Sequence, residues 1–94
     1  MALSFEWDPR KAGANFRKHG VSFEEARTAF ADPLGRIVGD PRHSAEEERD
    51  VLIGLTERGR LVAVMFTERG DTVRVISARY VTRQERNDYE ERHD

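Results

Sequence analysis

The stretch from residue 49 to residue 80 constrains the fold of this chain most strongly. It reads RDVLIGLTERGRLVAVMFTERGDTVRVISARY, in which three runs of alternating apolar and polar residues are separated by two copies of the tetrapeptide TERG. A period of two is typical of β-strands that bury one face. The segment therefore predicts three consecutive strands, at about 49–57, 60–68 and 71–80.

Each TERG copy has the composition of a hairpin turn. Glu-Arg suits the central pair of a type I turn, and the glycine that follows suits the left-handed backbone of a bulged loop. Gly59 and Gly70 are therefore interpreted as turn residues. Successive turns of a meander lie at opposite ends of the sheet, roughly 30 Å apart for a nine-residue strand. Arg58 and Arg69 are thus not expected to bind one phosphate together.

Strict alternation divides these strands into two faces. The first face is expected to meet the helices and holds Val51, Ile53, Leu55, Val62, Val64, Phe66, Val73 and Val75. The second is more polar and holds Leu52, Gly54, Thr56, Ala63, Met65, Thr67, Arg74, Ile76 and Ala78. Arg74 and Arg79 are placed on opposite faces. We interpret the second face as a surface for a polyanion, or alternatively as an oligomer interface.

Capping residues delimit the remaining elements. Asp8-Pro9 and Ser22-Phe-Glu-Glu25 are helix starts, and Gly20 and Asp32-Pro33 are stops. The predicted elements are a strand at 3–7, helices at 9–19 and 23–31, a strand at 35–39, a loop at 40–48 and, after the three strands, a helix at 82–91. The order β-α-α-β-β-β-β-α indicates one α+β domain over residues 1–94, with a mostly antiparallel sheet. The last helix has little apolar surface beyond Tyr89, so we expect it to be mobile or to pack on a partner.

Composition excludes several classes of site. The chain has no cysteine, which rules out disulfides, thiolate metal sites and a cysteine nucleophile. The three histidines lack metal-ligand spacing, and no nucleotide-binding glycine pattern is present. We therefore expect no metal and no cofactor. The longest apolar run, 61–66, is too short for a membrane span, and with no signal peptide a cytoplasmic protein is expected.

Cleavage of RNA without a metal needs only side chains of the types found here. The 2′-hydroxyl attacks the adjacent phosphorus while a base and an acid move protons and cations stabilise the developing charge. The candidate groups are Lys18, His19, His43, Arg49, Arg74, Arg79 and Tyr80. Each has a structural alternative. Lys18 and His19 suit a helix C-terminus, His43 a solvated loop, Arg79 an ion pair with Glu57, and Arg74 an ion pair with Asp50.

A set of spaced, chemically dissimilar residues gives a family resemblance. The N-terminal part reads Phe5-x-Trp7-Asp8-x-x-Lys11-x-x-x-Asn15-x-x-Lys18-His19-Gly20-Val21-x-Phe23-x-x-Ala26. Asp40, His43-Ser44, Glu48-Arg49, TERGD at 67–71, Arg74-x-Ile76-Ser77-Ala78-Arg79 and Glu85-Arg86-x-x-Tyr89-Glu90 follow in order. Over about the whole chain this pattern resembles the BrnT family, toxins of type II toxin–antitoxin pairs.

The resemblance implies a RelE-like fold, with helices packed on one face of an antiparallel sheet. It also implies an endoribonuclease that stops translation by cutting RNA, free or on the ribosome, without metal. The implied partner is a BrnA-like antitoxin with a ribbon-helix-helix domain, through which alone the toxin meets operator DNA. On this basis Arg74, Arg79, Tyr80, Lys18 and His19 are the expected catalytic residues, and Arg49 and His43 the expected RNA-binding residues.

Two functions are consistent with the sequence. The first is the endoribonuclease toxin. The second is a non-enzymatic module that binds the antitoxin and tunes operator binding. The formal net charge of -2 favours the second, because RNA-binding proteins usually carry a basic surface. Under the first, RNA must bind to a local cluster of cations.

Overall fold

The structure of the chain is a computed structural model that describes residues 3–39 and 49–91. Its strands are β1 (Ser4–Glu6), β2 (Arg36–Gly39), β3 (Asp50–Leu55), β4 (Leu61–Arg69) and β5 (Thr72–Tyr80). Its helices are α1 (Pro9–His19), α2 (Phe23–Ala26), which continues as a 3-10 helix (Arg27–Ala31), and α3 (Arg83–Glu91). The predicted α+β class and element order are confirmed.

The five strands form one sheet in the order β1-β5-β4-β3-β2. The pairs β2–β3, β3–β4 and β4–β5 are antiparallel, and β1 pairs with β5 in parallel. Consecutive strands β2 to β5 form a meander, whereas β1 is added to the far edge of β5. The mostly antiparallel sheet predicted from the sequence is therefore confirmed.

The helix ends follow the predicted capping chemistry. The Asp8 side chain accepts a hydrogen bond from the Arg10 backbone N–H at 2.9 Å, and Gly20 ends α1 with a φ of 75°. At α3, Thr82 Oγ1 accepts from the Glu85 N–H and Glu85 Oε1 accepts from the Thr82 N–H, at 3.2 and 2.8 Å. These bonds satisfy N–H groups that a helix start leaves unpaired.

The two TERG copies are both turns, but they are different turns. In the first, the Gly59 N–H donates to Thr56 O, the Thr56 N–H donates to Arg60 O, and Gly59 has a φ of 78°. This is the predicted bulged loop. In the second copy Arg69 still pairs with Thr72, so the loop is only Gly70 and Asp71. Placing Glu68 and Arg69 at the centre of the second turn was therefore wrong.

A β-bulge in β5 changes which face its arginines occupy. Met65 is opposite Ser77, whereas Phe66 is opposite Val75, so Ile76 is the extra residue. An extra residue reverses the alternation from that point onward. As a result Arg74 and Arg79 project from the same face of the sheet, and their prediction on opposite faces was wrong.

Each face of the sheet carries its own hydrophobic core. The face under α1 and α2 buries Val21, Phe23, Ala26, Ala29, Leu52, Val62, Val64, Phe66, Val73, Val75 and Ala78. The other face buries Val51, Ile53, Leu61, Ala63, Met65 and Tyr89. The predicted faces of β3 were therefore exchanged. Leu55 pairs with Leu61 across residues 56–60, so the residue numbers in every β3–β4 pair are both odd or both even. The predicted first face had instead combined odd-numbered residues of β3 with even-numbered residues of β4.

Helix α3 packs on the second face of the sheet, so this face is not the open surface that the sequence predicted. Its Tyr89 is buried in the second core, and the Tyr89 hydroxyl donates to Asp32 Oδ2 at 2.7 Å. Among the helices of the described residues, α1, α2 and the 3-10 continuation of α2 pack on the first face. The sheet of the same chain thus provides a packing surface for α3, which the prediction of a mobile or partner-bound helix did not include.

A buried asparagine completes the edge of β5. β1 pairs with β5 only over residues 72–74, and beyond it Asn15 of α1 takes the place of a strand. Asn15 Nδ2 donates to Ala78 O at 2.9 Å, and the Ala78 N–H donates to Asn15 Oδ1 at 3.1 Å. Nδ2 also donates to Val21 O at 3.0 Å. One side chain therefore joins α1, the segment before α2, and the last strand.

Substitution of Asn15 by alanine is expected to destabilise the fold strongly. The change leaves backbone groups of Ala78 and Val21 unpaired, and each buried unpaired group costs about 1–3 kcal/mol. We expect the free energy of unfolding, measured in urea, to fall by about 2–4 kcal/mol. Asn87→Ala is the matched control, because Asn87 is exposed on α3 and should change stability by less than about 0.5 kcal/mol. Equal midpoints for the two variants would contradict this role.

Candidate functional site

A cleft of about 350 Å³ opens at the end of the sheet where the first TERG turn lies. It is formed by the turn between β3 and β4, the last residue of β5, and one side of α3. Its lining residues are Leu55, Gly59, Arg60, Leu61, Tyr80, Arg86, Tyr89 and Glu90. Two guanidinium groups and two phenols line this cleft alongside apolar side chains, a combination suited to a phosphate joined to a base or a sugar.

The strand register brings Arg60 and Tyr80 together. Tyr80 is opposite Val62, and Arg60 precedes Val62 by two residues, so it lies on the same side of the strand. The Arg60 Nη1 group donates a hydrogen bond to the Tyr80 hydroxyl. The guanidinium carbon is 5.3 Å from the centre of the Tyr80 ring, which is within the range of a cation–π contact.

Both groups of this pair are accessible to a ligand. The Arg60 side chain is 36% exposed and Tyr80 is 43% exposed. Tyr80 accepts its bond from Arg60 through the hydroxyl oxygen, which leaves the phenolic proton available for donation. The pair thus presents a fixed positive charge beside a proton donor.

Glu25 supports Arg60 from behind. Glu25 is only 6% exposed, and its carboxylate accepts from Arg60 Nε at 2.8 Å and from Arg60 Nη2. Thr56 Oγ1 donates to the same carboxylate at 2.9 Å. This is a two-point ion pair between a buried acid and a half-exposed base, and it fixes the plane of the guanidinium.

The ion pair keeps both partners charged. The hydrogen bonds from Arg60 lower the pKa of Glu25, with a smaller contribution from Thr56, and together they outweigh the effect of burial. In return, the Glu25 carboxylate raises the pKa of Arg60. The negative charge of Glu25 is thus directed at one side of the guanidinium, and the cleft receives the other side.

Arg74 and Arg49 lie far from this cleft. Arg74 forms an ion pair with Glu6 at 2.9 Å. It lies six residues before Tyr80, or roughly 20 Å along the strand at about 3.3 Å per residue. Arg49 precedes β3, whose first residue is opposite Phe66, whereas the cleft lies at the other end of β3. Neither arginine can contact a phosphate held between Arg60 and Tyr80.

Arg79 adjoins Tyr80 in sequence but lies on the other face. It donates to both carboxylate oxygens of Glu85, at 2.8 and 3.0 Å, and to Tyr80 O at 3.2 Å. Arg79 lowers the pKa of Glu85, with the capping bonds to Thr82 acting in the same direction. Arg79 thus joins β5 to the first turn of α3.

Lys18 and His19 occupy the last turn of α1. Lys18 is exposed and His19 is half-buried. His19 follows Asn15 by four residues and therefore lies on the same side of the helix, the side that contacts Ala78 near the end of β5. His43 lies outside the described residues. Of the predicted residues, the structure thus places Tyr80 in the cleft and His19 on the helix side that meets the same strand.

Sequence reasoning missed Arg60, Arg86 and Glu25. Arg60 lies directly after the first TERG copy, outside the repeat, and belongs to no local motif. Glu25 was interpreted as half of a capping box, and Ser22 Oγ does accept from the Glu25 N–H at 3.0 Å. The Glu25 side chain, however, bonds to Thr56 and Arg60. The diagonal position of Arg60 relative to Tyr80 depends on the register between β4 and β5, which no local sequence pattern gives.

Comparison with protein families shows where the chain belongs. Residues 7–85 match the family described as the ribonuclease toxin BrnT of type II toxin–antitoxin systems. The chain is a member of the BrnT family. This confirms the resemblance inferred from the spaced motif, and the match spans every residue of the Arg60–Tyr80–Glu25 cluster.

A solved BrnT structure has the same fold. The crystal structure of the Brucella abortus ribonuclease toxin BrnT, at 1.1 Å resolution, is 25% identical to this chain. The alignment covers 87% of this chain and all of that one, with a TM-score of 0.62. No match was found among curated proteins. Within residues 3–39 and 49–91, no helix of this BrnT family member has the length and apolar character needed to cross a membrane.

The lowered pKa of Glu25 predicts how stability changes in acid. The folded-state pKa of Glu25 lies below its ordinary value of 4.5, so the ionised carboxylate stabilises the fold above about pH 4.5. This contribution is lost as the pH falls through the folded-state pKa. Glu25→Gln should therefore reduce the free energy of unfolding by about 1.5–3 kcal/mol at pH 7. Urea unfolding at a series of pH values should show this difference shrinking below about pH 4.5.

Glu24→Gln is the control for that titration, because Glu24 is the exposed neighbour of Glu25 on the same helix. Its stability should stay close to that of the unmodified chain at every pH. A Glu25→Gln deficit that persists undiminished at low pH would show that the loss does not arise from the charge.

Proposed function

We propose that this chain is a metal-independent endoribonuclease toxin whose active site is the cleft containing Arg60 and Tyr80. The observation that carries the proposal is the contact between these two residues, in which an accessible guanidinium donates to an accessible phenol. Membership of a ribonuclease toxin family supports RNA as the substrate. The product is expected to have a 2′,3′-cyclic phosphate, since the attacking group is the 2′-hydroxyl of the RNA itself.

The cleft contains groups for two steps of this reaction: stabilisation of the negative charge on the phosphate and protonation of the leaving oxygen. As the 2′-oxygen attacks, negative charge grows on the non-bridging phosphate oxygens, and Arg60 is placed to stabilise it. When the bond to the 5′-oxygen breaks, that oxygen must receive a proton, and Tyr80 has one to donate. Arg86 on the α3 side of the cleft adds a second cation, only weakly paired with Glu90 at 4.0 Å.

We assign removal of the 2′-hydroxyl proton to His19. Its helix is held against the end of β5 by the bonds between Asn15 and Ala78, two residues before Tyr80. The unprotonated nitrogen of an imidazole can accept a proton from a hydroxyl group. Lys18, exposed on the same turn, is the neighbouring cation for the RNA backbone. Arg74, Arg49 and Arg79 receive no role at the reacting phosphate, because distance or sheet face separates them from it.

The biological role follows from the family. A ribonuclease toxin of a type II pair is neutralised by a protein antitoxin, and we propose a BrnA-like partner with a ribbon-helix-helix domain. Through that domain the pair would bind its own operator. Cleavage of messenger RNA in the cytoplasm, free or on the ribosome, would stop translation. The chain has a formal net charge of -2, and the cleft holds two of its cations, Arg60 and Arg86. This arrangement suits contact with a single phosphate better than broad binding along RNA.

The catalytic assignment is tested by cleavage of a labelled transcript by antitoxin-free protein in the presence of EDTA. Arg60→Ala should lower the rate by about 100-fold or more, since it removes the main charge-stabilising group. Tyr80→Phe should lower it by about 100-fold through loss of the proton donor. Arg69→Ala is the matched control, because the second TERG copy lies at the opposite end of β4; its rate should stay within about twofold.

Two results would contradict the proposal. One is no cleavage by the unmodified protein, with or without ribosomes. The other is an Arg60→Ala variant that folds normally and cleaves at the unmodified rate. A folded and inactive protein that nevertheless binds its antitoxin and sharpens operator binding would identify the chain as the non-enzymatic module instead.

A further inference from the structure

The ion pair beneath Arg60 has features that cohesion of the fold alone does not require. Glu25 is a buried carboxylate, and moving a carboxylate out of water carries a large cost that an ion pair repays only in part. An apolar pair would join α2 to the β3–β4 turn equally well. The acid instead meets one arginine that is half-exposed in the cleft, so its contacts act on the group that a ligand would touch.

The N–H donors of Arg60 fall into two sets: those that bond to Glu25 or Tyr80, and those that remain for a ligand. A guanidinium has five N–H donors. Within the described structure, Nε and one Nη2 hydrogen donate to Glu25, and one Nη1 hydrogen donates to Tyr80. One N–H on Nη1 and one on Nη2 remain. Two N–H groups on neighbouring nitrogens match two oxygens of a phosphate. The bonds to Glu25 and Tyr80 therefore leave two donors of Arg60 for a phosphate.

The turn that carries Arg60 is held by the same part of α2. Thr56 Oγ1 donates to Glu25 and accepts from the Arg60 N–H at 3.3 Å. Thr28 Oγ1 accepts from the Glu57 N–H at 3.0 Å and donates to Glu25 O at 2.6 Å. Both the backbone and the side chain of Arg60 are therefore held in place by contacts that lead to Glu25 and its helix turn.

We propose that Glu25 is a positioning residue for RNA cleavage, which holds the Arg60 guanidinium over Tyr80 with two N–H groups directed to the scissile phosphate. This inference rests on the proposed function of the cleft. Glu25 itself does not touch the RNA. Its contribution is to fix a long side chain before substrate binds, so that the cost of ordering Arg60 is not incurred in the transition state.

The test is a double-mutant cycle between Glu25 and Arg60 in full-length protein. Glu25→Gln keeps the size of the side chain but removes its charge, so the amide can no longer accept from both Nε and Nη2. We expect kcat to fall by about tenfold, with KM changed by less than about threefold. In an Arg60→Ala background the same substitution should have no more than about a twofold further effect.

A purely structural role predicts a different pattern. If Glu25 only stabilises the fold, Glu25→Gln will lower activity by the same factor with or without Arg60, and that additive result would overturn the proposal. Glu24→Gln should be neutral in both backgrounds. Because Glu25→Gln is expected to reduce stability, the folded fraction of every variant is measured by circular dichroism under the assay conditions, and kcat is compared per folded molecule.

A second measurement separates this inference from the proposed function. Binding of a 2′-O-methyl RNA oligonucleotide, which cannot be cleaved, is followed by NMR of the Arg60 Nε–H group. In unmodified protein we expect a distinct Arg60 resonance that shifts on addition of the oligonucleotide. In Glu25→Gln we expect this resonance to merge with the other arginine signals, while the affinity for the oligonucleotide changes by less than about threefold. An inactive protein that shows this coupling would refute the nuclease assignment, but it would retain Glu25 as the residue that positions Arg60 for binding a phosphate. An Arg60 resonance that is unchanged in Glu25→Gln would refute the positioning role.

Discussion

The three hydrogen bonds of Asn15 are the contacts on which the rest of this small fold depends. β1 is too short to cover β5, and without Asn15 the backbone of Ala78 would face the core with no strand beside it. By also binding Val21 O, the same amide sets the path from α1 into α2. It thereby fixes both the last residues of β5, which end in Tyr80, and the helix from which Glu25 reaches the opposite turn.

The candidate site follows from these placements. Tyr80 reaches the cleft from β5, Arg60 from the first TERG turn, and Glu25 from α2, so three segments distant in sequence meet at one end of the sheet. Two other arginines of the sheet are paired with acids, Arg74 with Glu6 and Arg79 with Glu85. Arg60 is also paired, but its bonds to Glu25 use only the Nε and Nη2 edge of the guanidinium. The rest of the group faces the cleft, where a ligand can bind.

Much of the fold was predictable because its signals are local. Capping by Asp8 and Thr82, the turn at Gly59 and the alternation within β4 each involve residues close in sequence, and each was confirmed. The site was harder to predict because it depends on register between strands. A single bulge at Ile76 moved Arg79 to the face of Arg74, and the five-residue loop at 56–60 exchanged the faces of β3. Tyr80 was identified through family resemblance, whereas Arg60 needed the pairing of Val62 with Tyr80, which no local pattern contains.

The position of bound RNA tests the account most directly. Chemical-shift changes at backbone amides and arginine Nε–H groups can be mapped while an uncleavable 2′-O-methyl RNA oligonucleotide is added to the unmodified protein. We predict that the largest changes fall on Arg60 and Tyr80, with Gly59 and Leu61 beside them and Arg86 across the cleft. Changes centred instead on Arg74 and the other end of the sheet would contradict it, because no phosphate bound there can reach the Arg60–Tyr80 pair.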